Sequence, residues 1–240
     1  MRVGTKRVLK RNVRLAVIKI LSNKSKAAFL TKFRGKKISL FDVGCGTNSP
    51  ALTKTILPNC HYTGLDVGMY FQDEDSIEFE DKFELCSPED FATVIEKKDE
   101  KFDVIVSSHN LEHCYERVRV LLGMLKCLKS GGQMFLSFPC EASVAFPKRN
   151  GCLNYYDDKT HIDKPPQFDE LCNLIAKEGF EILYSKRRYR PPLLASLGLL
   201  LEPISFFIKK TLPGTWALYG FESIIHIASK ADETSGDVNS

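Results

Sequence analysis

Short apolar runs recur along the chain, each closed by a turn or followed by an amphipathic stretch, and this alternation constrains the fold more than any other feature. The runs are residues 38–43 (ISLFDV), 61–67 (HYTGLDV), 82–86 (KFELC), 101–108 (KFDVIVSS), 133–138 (QMFLSF), 180–188 (FEILYSKRR) and 222–230 (ESIIHIASK). FDVIV is almost continuously apolar, as a strand covered on both faces must be. Amphipathic segments at 115–128 and 167–178 read as helices, the second closed by Gly179. Ser49-Pro50 reads as an N-cap followed by proline at the first helical position. Strands alternating with helices imply a parallel sheet with helices on both faces. Ligands of such sheets sit at the carboxyl ends of the strands, near the switch point.

Charge divides the chain. Of 34 Lys and Arg, thirteen fall within residues 1–37, which contain no Asp or Glu, so the net charge of +4 conceals a basic arm and an acidic body. Residues 6–21 read as a basic amphipathic helix, an arrangement that suits an anionic partner, nucleic acid or membrane surface. The eight cysteines form no C-x-x-C pair and match no zinc module, so they read as reduced, buried thiols of a cytoplasmic protein. No secretory signal is read. The expected organisation is a basic helical arm at 1–37, one domain at 38–230 and a disordered polar tail at 231–240.

The loop after the first strand, Asp42-Val-Gly44-Cys45-Gly46-Thr-Asn48, opens a helix. Gly44 and Gly46 permit positive φ and close approach of a ligand, and Asn48 also tolerates the left-handed region. It is not a P-loop, because no Gly-Lys-Ser/Thr follows. Asp66, ending the second strand, is placed to accept hydrogen bonds from ribose hydroxyls.

DVGCGT (42–47), GLD (64–66), FDVIVSSHNLEH (102–113) and LKSGGQMFLSFP (128–139) occur in that order. Together they resemble the successive motifs of class I S-adenosylmethionine-dependent methyltransferases, over residues 38–190 plus the last strand. The resemblance implies a Rossmann-like α/β fold, doubly wound, with a mostly parallel seven-stranded sheet whose last strand is antiparallel. It implies S-adenosylmethionine as cofactor, with Asp42, Gly44, Cys45, Gly46 and Asn48 around the methionine end and Asp66 and Val67 at the ribose. Ser87 and Glu89 would lie toward the adenine, and Ser108 and His109 beside the loop. Where family members often carry Asp-Ala-Glu-Asp, this chain has Ser87-Pro88-Glu89-Asp90, and Pro88 offers the ring no N–H.

Methyl transfer to a hydroxyl requires removal of a proton. His109 and His113, past the fourth strand, are candidate bases, as are Asp158 and His161 in the segment NYYDDKTH (154–161), whose tyrosines suit sugar rings. The pattern His109-x-x-Glu112-His113 matches an inverted zinc-protease motif, but it ends a buried strand instead of lying on one helix, and no metal ligands are assigned. Pro139-Cys140 resembles the nucleophile pair of cytosine methyltransferases but follows the wrong strand, so a packed thiol is expected. No Asp/Asn-Pro-Pro-aromatic motif follows the fourth strand, which favours oxygen over nitrogen as acceptor.

In this fold the last two strands are ordinarily joined by a short hairpin, whereas here residues 191–221 intervene. The insertion is strongly apolar, but Glu202 and Pro203 interrupt it, and a spanning helix needs ~20 apolar residues. It is expected to cap the core, form an interface between copies or lie in a membrane surface. The basic arm, the cluster Lys186, Arg187, Arg188 and Arg190, and the stretch 191–210 together suggest an enzyme peripheral to the inner membrane face. The Asn-Ser-Pro after the loop resembles bacterial-type enzymes of polysaccharide biosynthesis, giving O-methylation of a sugar or glycan as the expected reaction. The alternatives are an RNA methyltransferase, favoured by the basic arm, and an inactive cofactor-binding partner.

Overall fold

A computed structural model describes residues 22–68 and 81–231. The basic helix read at 6–21 and the tail from 232 lie outside them.

The strands β1 (Ser39–Val43), β2 (His61–Asp66), β3 (Lys82–Leu85), β4 (Phe102–Ser108), β5 (Leu128–Pro139), β6 (Glu181–Lys186) and β7 (Glu222–Ala228) form one seven-stranded sheet in the order β3-β2-β1-β4-β5-β7-β6. All neighbours are parallel except β7, which runs antiparallel to both β5 and β6. The chain reverses its direction of travel between β1 and β4, so their carboxyl ends border the crevice of a doubly wound sheet.

Both sheet faces are covered. Phe41, Leu65 and Ile105 point to one layer, with α3 (Phe91–Glu96), α4 (Arg117–Lys126) and α5 (Phe168–Lys177). Leu40, Tyr62, Val104, Val106 and Phe135 point to the other, with α1 (Lys26–Leu30) and α2 (Ser49–Ile56). That two-sided burial explains why β4 reads as a continuous apolar run. Residues 26–33 are not a separate arm: Phe29 and Leu30 are fully buried against Phe135 and Ile224, so the described part of the basic arm belongs to the domain core.

Two local expectations are corrected. Ser49 does not cap α2; the cap residue is Asn48, with φ −106° and not the left-handed conformation, and the Ser49 hydroxyl bonds Asp42 instead. Nor does β5 begin at Gln133, where its apolar run starts: it begins at Leu128, and Ser130-Gly131-Gly132 interrupts it. Leu128 pairs with Phe102, the register then shifts, and Gln133 pairs with Val104. A Cβ on Gly132 would stand 2.9 Å from the Lys129 carbonyl oxygen, so the bulge requires glycine there.

The insertion folds as α6 (Pro192–Phe207) followed by α7 (Thr215–Tyr219). The two meet backbone to backbone at Gly198 and Gly214, where a Cβ on Gly198 would stand 2.2 Å from the Gly214 oxygen. Arg149 fastens α6 to the body: it pairs with Glu202 at 2.6 Å and donates to Ser205 Oγ at 2.5 Å. The apolar side of α6 is not buried against the described residues. Leu199, Leu200, Phe206 and Phe207 are 64%, 77%, 62% and 82% exposed. Among the described residues no helix is long and apolar enough to cross a membrane.

Candidate active site

A cleft of about 650 Å³ opens at the carboxyl ends of β1, β2 and β4. Its floor is the β1–α2 loop. Gly44 has φ +71°, and a Cβ there would lie 2.3 Å from Asn110 Oδ1, so any other residue is strained and displaces Asn110. Gly46 has φ +56°, and its Cβ direction is open space. Asp66 closes this side: its Oδ2 accepts from the Gly46 amide and its Oδ1 from the Val67 amide, both at 2.7 Å. A carboxylate has about four acceptor positions. Two are spent on holding the loop, which leaves the others to a ligand in the cleft that Asp66 lines. This acceptor-only group beside a glycine cradle fits an adenosine whose ribose offers two hydroxyls.

Asp42 is placed differently from the expectation. It is fully buried and does not line the cleft. Its carboxylate receives Lys26 Nζ at 2.9 Å and the Tyr62 hydroxyl at 2.9 Å, together with Ser49. It therefore ties α1 and α2 to β1 and sets the loop from behind. Cys45 packs in the core beneath the loop, and Asn48 is the helix cap. Ser87 and Glu89 are not among the lining residues; the Ser87 hydroxyl donates to Asp90 at 2.9 Å. Pro88 and the ring of Phe91 form that wall instead, an apolar slot suited to a flat base. Ser108 turns to Ser137 at 2.9 Å and is likewise absent from the lining. Asn110, Cys114 and Tyr115 line the cleft, and sequence reasoning missed all three.

His109 does line it, in an unusual backbone state, with φ +52°. A non-glycine residue there is held by its surroundings. Its Nδ1 lies 3.1 Å from Glu112 Oε1 and its Nε2 3.3 Å from Glu222 Oε1. Carboxylates only accept at neutral pH, so both ring nitrogens donate. Burial opposes the charge, but the bonds to Glu112 and Glu222 overcome it and raise the pKa to about 10. His109 therefore has no lone pair with which to take a proton, which corrects its expected role as a base. Its ring packs on Trp216 of α7 and on Phe221, with centroids 5.5 and 6.1 Å away, so the insertion reaches the site through this imidazolium.

His113 and His161 also line the cleft and stand together, with ring centroids 4.8 Å apart. His113 Nδ1 lies 3.2 Å from the Thr160 carbonyl oxygen, and His161 Nδ1 lies 2.6 Å from that of Tyr155. Carbonyls only accept, and the Thr160 hydroxyl, 3.0 Å from His113 Nδ1, donates its own hydrogen to Asp158 and so accepts here too; in both rings Nδ1 carries a hydrogen, and the neutral tautomer has its lone pair on Nε2. Burial lowers the His161 pKa, keeping that ring neutral at pH 7. Asp158 Oδ2 lies 3.9 Å from His161 Nε2. Arg117 holds the supporting loop, donating to Leu111 O at 2.9 Å and to the Tyr155 hydroxyl at 3.2 Å. Tyr155 is fully buried and stacks on His161 at 4.4 Å, so it serves the histidine and not a ligand. Tyr156 does not line the cleft; the exposed ring at its rim is Tyr115.

Neither nearby thiol is a nucleophile. Burial first, and then Glu112, push Cys114 up to about 12. Cys140 is fully buried, and its thiol donates to the Gly220 carbonyl oxygen at 3.1 Å.

Comparison with known proteins places this geometry. A family model described as a methyltransferase domain matches residues 13–185. An uncharacterized protein of Methanocaldococcus jannaschii is 31% identical over 130 residues, 52% of this chain and 34% of that protein. The chain thus aligns with about a third of the length of that relative. Among solved structures, an S-adenosylmethionine-dependent methyltransferase from Archaeoglobus fulgidus superposes with a TM-score of 0.52 at 16% identity, covering 91% of this chain and 94% of that one. The N-methyltransferase NodS of Bradyrhizobium japonicum, bound to S-adenosyl-L-homocysteine, superposes with a TM-score of 0.52 at 11% identity, covering 92% and 86%. With the sheet order, the loop and the family match in agreement, the chain belongs to the methyltransferase domain family, with the Rossmann-like fold of the S-adenosylmethionine-dependent enzymes.

Proposed function

We propose that this chain transfers a methyl group from S-adenosylmethionine to a hydroxyl of a sugar or glycan intermediate. One observation carries the reading. Two imidazoles, His113 and His161, present Nε2 lone pairs on the wall of the same cleft whose floor is Gly44, Gly46 and Asp66. The cofactor supplies the electrophilic methyl group; the chain supplies everything else. Gly46 and Asp66 hold the nucleoside end, and Pro88 and Phe91 flank the base. The His113–His161 cluster is where the acceptor hydroxyl loses its proton. Tyr115, 65% exposed at the rim, offers a flat apolar face of the kind sugar rings stack on.

The exposed side of α6 supports a location at a membrane surface, on a lipid-linked glycan. Leu200 and Phe207 project from it, and Lys209 and Lys210 follow at its end. The cluster at 186–190 contributes less than its composition implies. Arg187 pairs with Asp169, and Arg188 and Arg190 donate to the Tyr219 carbonyl oxygen.

The test is transfer of isotopically labelled methyl from the cofactor to pooled sugars, lipid-linked glycans, amines and RNA. Label on a glycan hydroxyl is expected, with His113→Ala and His161→Ala each lowering the rate by ~10²–10⁴ while product binding persists. Label on amines or RNA, or no label on any pool despite cofactor binding, would contradict it.

A further inference from the structure

Glu112 lies beneath the two histidines and is fully buried. Its Oε1 is held by His109, but its Oε2 has no hydrogen-bond partner among the described residues. An unpaired buried carboxylate oxygen costs about 1–3 kcal/mol or more, and it calls for a ligand. One carboxylate oxygen of Glu112 and one ring nitrogen each of His113 and His161 all lie within 4.8 Å of one another.

We propose that Glu112, His113 and His161 bind one divalent transition-metal cation of borderline softness, with Zn²⁺ as the reference case. Two imidazoles and a carboxylate are the donors such ions prefer, whereas Mg²⁺ and Ca²⁺ prefer oxygen alone. The outer shell is already built. Each histidine spends Nδ1 on a backbone carbonyl, Thr160 or Tyr155, which fixes the tautomer with Nε2 free. Glu112 is oriented by His109, and its carbonyl oxygen accepts the Ile162 amide at 2.9 Å, which ties the His161 loop to the His113 turn. Bonds of about 2.0–2.1 Å in a tetrahedral site put ligand atoms about 3.3 Å apart, so closure requires a shift of roughly 1.5 Å. His113, at the partly exposed end of the cluster, has room to make it.

Three protein ligands leave a coordination position open, and both histidines line the cleft, so that position faces the acceptor side. This deepens the hydroxyl-transfer reading and rests on it for its purpose: with both Nε2 lone pairs coordinated, the cation replaces the free imidazoles as the activating group, makes a coordinated hydroxyl more acidic, and leaves its proton to Asp158, which also lines the cleft, or to solvent. The ligand set is not the H-x-x-E-H pattern of the sequence, since both nitrogens of His109 are engaged by carboxylates.

The test uses the full-length metal-free protein and the metal alone, without cofactor or acceptor, so its outcome is separate from that of methyl transfer. Titration with Co²⁺ and Zn²⁺ is expected to give one equivalent bound at micromolar or tighter affinity. The Co²⁺ form should show visible bands without the intense near-ultraviolet absorption of thiolate ligation. His113→Ala and His161→Ala should each weaken binding at least ~10-fold. X-ray absorption of the Zn²⁺-loaded wild type needs no variant and is expected to show only nitrogen and oxygen neighbours near about 2.0–2.1 Å. No one-equivalent binding, affinity unchanged in both variants, or a sulfur shell from cysteine thiolates would overturn the site.

Discussion

Gly44 and Gly46 stand two residues apart in one loop and carry different constraints. At Gly44 a Cβ would collide with Asn110 in addition to adopting φ +71°. Gly44→Ala is expected to cost about 2–4 kcal/mol and lower Tm by roughly 5–15 °C, with partial recovery when Asn110→Ala is added. Gly46→Ala meets no protein atom. It should cost about 1 kcal/mol in stability while weakening cofactor binding, because Gly46 lines the cleft and an added methyl group takes up open space beside it. Equal thermal stability of the two variants would contradict this distinction. His226 gives a pH prediction. It is buried among Phe29, Phe135 and Tyr184, its Nε2 3.1 Å from the Lys24 carbonyl oxygen. Burial first, then Lys32 and Lys24, lower its pKa to about 4. The unfolded chain therefore binds this proton first, and stability falls as pH drops from about 6.5 to about 4, by about 3 kcal/mol in total. Denaturation at several pH values should show that loss in the wild type and its absence in His226→Gln. At this scale the glycines and Asp66 were legible, because backbone conformation and position at a strand end are local. The burial of Asp42 was not, because Lys26, Ser49 and Tyr62 converge on it from three elements.

Among the elements, the insertion is tied to the body by a buried cation, beside the backbone bonds of Asn150 to Lys209 and Thr211. Arg149 is buried, and its fork meets Glu202 and Ser205, with Tyr219 also donating to Glu202 at 2.6 Å. Arg149→Ala leaves Glu202 without its charge partner and is expected to cost about 3 kcal/mol. Limited proteolysis should then cut within 191–221 well before the rest of the domain; cleavage at the wild-type rate would contradict the anchoring. The strands themselves were legible, since the apolar runs coincide with all seven within a few residues. The extent of β5 was not, because a turn-forming Ser-Gly-Gly looks the same whether it precedes a strand or bulges from it. Nor was the link from Arg149 to α6, whose partners are 53 and 56 residues away. His161 reached the His113 turn by the same kind of long-range closure, through Ile162 and Glu112.

For the whole molecule, two features among the described residues call for a test: the cleft and the exposed outer side of α6. If α6 lies in a membrane surface, burial of Leu200 and Phe207 contributes ~1.5–3 kcal/mol each. The double variant Leu200→Glu, Phe207→Glu should then reduce co-flotation with anionic vesicles by ~10²-fold or more without altering cofactor binding. Unchanged flotation would leave α6 for another partner. The cleft makes the central claim, that the loop and Asp66 hold S-adenosylmethionine. Calorimetric titration of the cofactor and its demethylated product, with Asp66→Ala and Asp66→Asn in parallel, tests it most directly. Micromolar binding by the wild type is expected, weakened ~10–100-fold or more in both variants as charged hydrogen bonds to the ribose are lost. Absence of binding by the folded wild type, or wild-type affinity in both variants, would contradict the account.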